Sequence, residues 1–149
     1  MAQYNLGNSL LRTGNARQAI ACYQQALRFK LDFAAAQNNL GSALAELGRV
    51  PEAIGHWEQA LRIKPDYAEA HYNWGVALAG LGRTQEAVGH WEQALRINPD
   101  YPEAHYNLGV ALEQAGRLSE AMGHYEQELR INPHMTEARD RLARLRTAR

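Results

Sequence analysis

Two stretches of the chain, "AHYNWGVALAGLGR" at residues 70–83 and "AHYNLGVALEQAGR" at residues 104–117, are nearly identical and stand 34 residues apart. The same step runs outward in both directions. Glycines recur at Gly7, Gly41, Gly75 and Gly109, and a second series at Gly14, Gly48, Gly82 and Gly116. Ala19, Ala53, Ala87 and Ala121 follow, then large aromatics at Tyr23, Trp57, Trp91 and Tyr125. Pro65, Pro99 and Pro133 close three of the units, where the first has Leu31. A fixed period of this length means stacked units, each of which buries its apolar face only against its neighbours.

Each unit reads as two helices. Trp74, Leu78 and Leu81 recur at spacings of four and three and form one stripe. Gly82 suits the left-handed position that ends a helix. The second helix carries Ala87, Val88, Trp91 and Leu95 and stops ahead of Pro99, because proline disfavours helical geometry in the residue before it. Pro51 sits where the first turn of a helix tolerates proline. Asp66 with Glu69, and Asp100 with Glu103, have the spacing of a capping box. Gly75 and Ala87 let paired helices approach closely, with Trp91 filling the space beside them. Glu58–Arg62, Glu92–Arg96 and Glu126–Arg130 have the spacing of solvated i, i+4 ion pairs.

The pattern of "LG" or "WG", then alanine, aromatic, alanine and proline resembles the tetratricopeptide repeat family over essentially the whole chain. The resemblance implies an all-α solenoid, a right-handed superhelix with first helices lining a concave groove and second helices forming the back. The repeats are read as 1–33, 34–67, 68–101 and 102–135 in a single domain 1–149, with a capping helix at 136–149. It also implies a protein-binding scaffold, without catalysis or cofactor.

Composition agrees with that class. With 16 Lys plus Arg against 16 Asp plus Glu the chain is formally neutral, unlike a nucleic-acid binder with a basic face. No apolar run has the length of a membrane helix. One cysteine, Cys22, cannot form an internal disulfide, and "MAQYNLGNSL" lacks the regions of a signal peptide, so a cytoplasmic location is expected. No nucleophile–base constellation or phosphate-binding loop stands out. His56, His90 and His124 are in register, but residues in register on successive repeats stand roughly 10 Å or more apart, too far to share a metal. They read as surface copies, and His71 and His105 as packing residues. Gly55, Gly89 and Gly123 each fall inside a second helix, where glycine costs about 1 kcal/mol relative to alanine. They are either copied tolerance or a shallow furrow for another chain.

The row of interest is Asn5, Asn39, Asn73 and Asn107, one per first helix. In the family that position belongs to the concave surface, as do those of Tyr4, Asn38, Tyr72 and Tyr106, and of Asn8, Ser42, Val76 and Val110. An amide offers a donor and an acceptor together, which matches a peptide backbone. Helices stacked at roughly 10 Å meet an extended peptide, rising about 3.3 Å per residue, at about every third residue. Tyrosines add apolar area with a polar tip. The alternative is that the asparagines bridge neighbouring helices. The row resembles the asparagine-lined groove in the repeat region of O-linked N-acetylglucosamine transferase, which suggests a second reading as the recognition region of a larger enzyme such as a glycosyltransferase. A third is homo-association through repeat ends. The family's carboxylate clamp is excluded, because its cationic places hold Tyr4, Glu69 and Asn73. Finally, the arginines of "TEARDRLARLRTAR" are read as facing water on a solubilising cap, while the family's register implies that Arg141 and Arg144 also turn towards the groove, where they favour acidic ligands. Glu128 stands where earlier repeats have Ala26, Ala60 and Ala94, and Arg139 is the expected partner for it.

Overall fold

The computed structural model describes residues 1–147, in which all regular structure is helical. The helices are α1 (Ala2–Arg12), α2 (Ala16–Phe29), α3 (Ala34–Glu46), α4 (Val50–Ile63), α5 (Ala68–Gly80), α6 (Thr84–Ile97), α7 (Pro102–Gln114), α8 (Leu118–Ile131) and α9 (Thr136–Thr147). They fall two to each expected repeat, with α9 as the final helix; the last two residues of the expected cap, 148 and 149, lie outside the described residues.

Glycine ends each first helix for a stereochemical reason. Gly14, Gly48, Gly82 and Gly116 all have φ of 75°, a region that side chains with a Cβ rarely adopt. In the second of these turns Arg49 N–H bonds Leu44 O at 2.9 Å and Gly48 N–H bonds Ala45 O at 2.9 Å, the Schellman pattern. The other three turns repeat it, from Asn15 to Leu10, Arg83 to Leu78 and Arg117 to Leu112. The next helix then starts at once, with Arg49, Arg83 or Arg117 as its N-cap residue. Each of these arginines holds the glutamate three residues on, as in Arg49–Glu52 at 2.6 Å, which keeps a negative charge at the helix N-terminus.

The chain divides into two compact units, Met1–Ala77 and Leu78–Arg149, with the division falling inside α5. In the first unit α1 packs on α2, α2 on α3 and α3 on α4. The core contains Tyr23, Leu40, Leu44 and Trp57 with Ala19, Ala36, Ala43, Ala53 and Ala60. In the second, α6 packs on α7, α7 on α8 and α8 on α9. Its core joins Leu108, Leu112, Met122 and Tyr125 to Ala138, Leu142 and Leu145 of α9, so the last helix covers repeat four with its apolar side.

The paired helices touch through glycine and an aromatic ring. A Cβ on Gly41 would lie 2.8 Å from the Trp57 indole nitrogen, and one on Gly109 would lie 2.7 Å from the Tyr125 ring. Gly7 stands in the same relation to Tyr23, at 2.6 Å. By contrast, nothing lies within 4 Å of a Cβ built on Gly55, Gly89 or Gly123, so the chain's own packing does not require glycine there.

Four local expectations change. No side-chain cap bond forms at α7, whose N-cap is Tyr101; Asp100 accepts instead from Arg130 at 3.0 Å, and Glu69 accepts from Asn38. The Glu126–Arg130 pair is replaced by Glu126 with Arg146 at 2.8 Å, because α9 brings a second arginine within reach. Leu81 is exposed, since α5 ends one residue earlier. Arg139 does not meet Glu128: its guanidinium donates to Pro133 O at 2.6 Å.

Glu128 is fully buried and, without Arg139, has no hydrogen-bond partner for either carboxylate oxygen among the described residues. Burial, and then the nearby charges of Glu103 and Glu137, push its pKa up to about 7. A carboxyl raised on folding stabilises the fold relative to its ionised form at low pH, and that contribution is lost as the pH rises from the ordinary carboxylate range to about 7. Glu128→Ala restores the residue of the earlier repeats. The variant should be more stable than the parent, by a margin that widens between pH 5 and pH 7 and then levels off; paired urea melts across that range measure it.

Candidate functional site

In the first unit the polar side chains of α1, α3 and α5 form a connected row. Tyr23 donates its hydroxyl to Asn8 Oδ1 at 2.9 Å, and the same oxygen accepts from Asn39 Nδ2 at 2.8 Å. Asn39 Nδ2 also reaches the Tyr4 hydroxyl at 3.3 Å, while its carbonyl accepts from Asn38 Nδ2 at 3.0 Å. Asn38 further donates to Glu69 Oε1 at 3.1 Å and accepts from Asn73 Nδ2 at 3.1 Å. Asparagines therefore bridge neighbouring helices within this unit, as the alternative reading held. The row passes from α1 through α3 to α5 without a break.

A count of donors and acceptors shows what remains to be offered. Both N–H groups of Asn39 are used, and so are both of Asn38. The Asn8 amide nitrogen and the Asn73 amide oxygen are not engaged by these bonds, and Asn5 is exposed beside them. Asn8, Asn39, Asn73, Tyr4 and Tyr72 are half-buried, which leaves each of them accessible in part. Asn38 differs from the expectation for it. It is fully buried, because its side chain is short and Glu69, Asn73 and Asn39 close over its polar atoms. Asn38 is a junction beneath the row. Tyr23 itself has a pKa raised to about 12, chiefly by burial and then by the neighbouring Tyr4.

The second unit meets the same problem with charge. Tyr106 and Asn107 are half-buried on α7. Val110 takes the place that Asn8 has in the first repeat, so the Tyr125 hydroxyl turns to Glu113 Oε2 at 2.6 Å. Arg141 of α9 donates to that same oxygen at 2.9 Å, with its guanidinium 5.9 Å from the centre of the Tyr106 ring. Burial raises the Glu113 pKa, but the bonds from Tyr125 and Arg141, with the charges of Arg141 and Arg144, outweigh it and hold the carboxylate below its usual range. Arg144 is exposed. Of the two arginines expected near the first helices, Arg141 is thus neutralised by an internal partner.

The histidines also pair in a way that register along the repeats did not suggest. Partners lie across the two helices of one repeat, 19 residues apart: His56 Nδ1 with Gln37 Oε1 at 2.7 Å, and His124 Nδ1 with His105 Nδ1 at 2.9 Å. The 19-residue spacing is present in the sequence, between the two helices of a repeat instead of from one repeat to the next. Among the described residues no group of three or more His, Cys, Asp or Glu side chains is gathered for a metal. No helix among them is long and apolar enough to cross a membrane.

The family model of the tetratricopeptide repeat matches residues 4–68 and 72–136. Solved structures are similar throughout. PilF of Pseudomonas aeruginosa matches at 25% identity and a TM-score of 0.89, over 99% of this chain and 67% of that one. A thermophilic TPR protein of Thermus thermophilus matches at 25% identity and 0.82, over 98% and 80%. YrrB, described as a TPR protein with an unusual peptide-binding site, matches at 23% identity and 0.75, over 98% and 75%. No curated protein sequence matches the chain.

Removing the junction tests the bonded row. Asn38→Ala leaves Glu69, Asn39 and Asn73 each one partner short, and a lost buried partner costs about 1–3 kcal/mol. The midpoint of urea unfolding should fall accordingly, with the helical circular dichroism of the folded state unchanged.

Proposed function

The chain belongs to the tetratricopeptide repeat family, and on that basis we propose that it holds an extended segment of another protein along its first helices. The family fixes the broader role: a protein-interaction scaffold on a fold typical of non-catalytic proteins. The finer reading rests on one observation. The row Asn8–Asn39–Asn38–Asn73 is locked by its own hydrogen bonds, yet leaves an amide donor at Asn8 and an amide acceptor at Asn73. Groups held in place by neighbours lose little freedom when a ligand arrives, so each bond they make contributes more of its strength. A donor and an acceptor on one row complement a peptide main chain, which carries both at nearly every residue.

Within the first unit Tyr4, Tyr72 and Asn5 extend the contact surface, and Asn39 acts by positioning Asn8; within the second, Tyr106 and Asn107 offer a surface of the same kind. The amide row matches main chain more than side chains. The peptide-binding site named for YrrB agrees with this use of the fold. Near α9, Arg144 carries the preference for acidic residues, because Arg141 already serves Glu113.

Binding to an array of extended peptides, acidic and neutral, tests the reading. Asn73→Ala should weaken retained peptides by about 1 kcal/mol, the net scale of one hydrogen bond, with helicity preserved. Arg144→Ala should weaken only the acidic ones, and added salt should erase that difference. Unchanged binding by Asn73→Ala would remove the amide row from the function.

A further inference from the structure

The His105–His124 pair belongs to the second unit, takes no part in the bonds of the asparagine row, and has the chemistry of a metal site. His105 is nearly buried, 8% exposed, and its Nε2 stands 2.8 Å from Pro99 O. A carbonyl oxygen only accepts, so the proton of neutral His105 is on Nε2 and its Nδ1 is a bare lone pair. His124 Nδ1, 2.9 Å away, must then donate to it. Two imidazole nitrogens on different helices therefore converge on one point with a single proton between them. Their rings are 5.2 Å apart and tilted by 38°.

We infer that this pair binds a divalent first-row transition ion, of the zinc and copper class, through both Nδ1 atoms. Imidazole nitrogen suits that class of ion. The backbone carbonyl behind His105 is the usual outer partner of a metal-bound histidine, fixing both its tautomer and its direction. Tetrahedral ligands about 2.0 Å from zinc stand about 3.3 Å from each other. The observed 2.9 Å opens to that spacing by a small swing of His124, which is only half-buried. As the ion enters, the Nδ1 proton of His124 leaves for solvent and one is taken up at its Nε2, so the ring binds as neutral imidazole with no net loss of a proton. Water completes the coordination, and Glu120, one turn before His124 and electrostatically coupled to it, adds attraction for a cation although its carboxylate is held by Arg117.

The chain contains its own control. In the second repeat Gln37 occupies the place of His105 and makes the same bond, to His56 Nδ1 at 2.7 Å. His105→Gln therefore keeps the hydrogen-bonded geometry and removes one metal ligand. The experiment is a calorimetric titration of the full chain with zinc chloride near pH 7.5, with imidazole nitrogen NMR to locate the ion. The parent should bind zinc with shifts at Nδ1 of both His105 and His124. His105→Gln should weaken that site at least about tenfold with helicity intact. If His105→Gln loses helicity, His124→Gln makes the same comparison from the more exposed side. Absence of binding in the parent, equal affinity in the variant, or zinc shifts confined to other histidines would overturn the inference.

Discussion

The contact between a glycine of one helix and an aromatic ring of the next is the constraint on which the rest depends. Tyr23, Trp57 and Tyr125 sit so close to Gly7, Gly41 and Gly109 that a single methyl group would have to displace a buried ring. Helices brought together at that distance interlock a flat face with a flat ring and leave little space to fill, so the remaining core can be built largely from alanine and leucine. The same contact fixes the rotation of α1, α3 and α7 about their axes. Whatever lies off that face is turned outward. In the first unit the residues so turned are Asn5, Asn8 and Asn39.

The identity of the ring then decides how core and polar row are joined. A tyrosine carries its hydroxyl through to a polar side chain of the helix before it, Asn8 in the first unit and Glu113 in the second. A tryptophan in the same place does not: the Trp57 and Trp91 indole nitrogens have no partner among the described residues. Such an unpaired donor has an energetic cost, offset by the larger apolar ring. Tyr23 thus ties the asparagine row of the first unit to its core, and Tyr125 ties Glu113 to the core of the second, where α9 adds charge through Arg141. Polar contacts and packing are linked at those two rings, one in each unit.

How much of this could be read beforehand follows from what periodicity encodes. The helices, their glycine ends and the final helix over repeat four are properties of position in a 34-residue unit, and they stand where the repeats put them. Departures from the repeat were harder to read. Glu128 stands out against three alanines, but its lack of a partner depended on where the Arg139 guanidinium turned. Asn38 shares a register place with Tyr4, Tyr72 and Tyr106, yet its shorter side chain is covered by groups from α3 and α5. The histidine pairing depends on how two helices of one repeat face each other, which comparison between repeats does not reveal. Charge partners likewise follow three-dimensional proximity, as Arg146 takes Glu126 from Arg130.

A two-by-two comparison of Gly41→Ala and Trp57→Leu tests the central claim directly, with unfolding free energy as the readout. In the parent, a methyl group at Gly41 collides with the ring, and overpacking of this kind costs roughly 1–3 kcal/mol. With the ring replaced by leucine the collision is removed, and alanine should then stabilise α3 by up to about 1 kcal/mol through its better helix propensity. The account predicts that the sign of the Gly41→Ala effect reverses between the two backgrounds. An equal effect in both would mean that the glycine–aromatic contact does not govern how these helices meet.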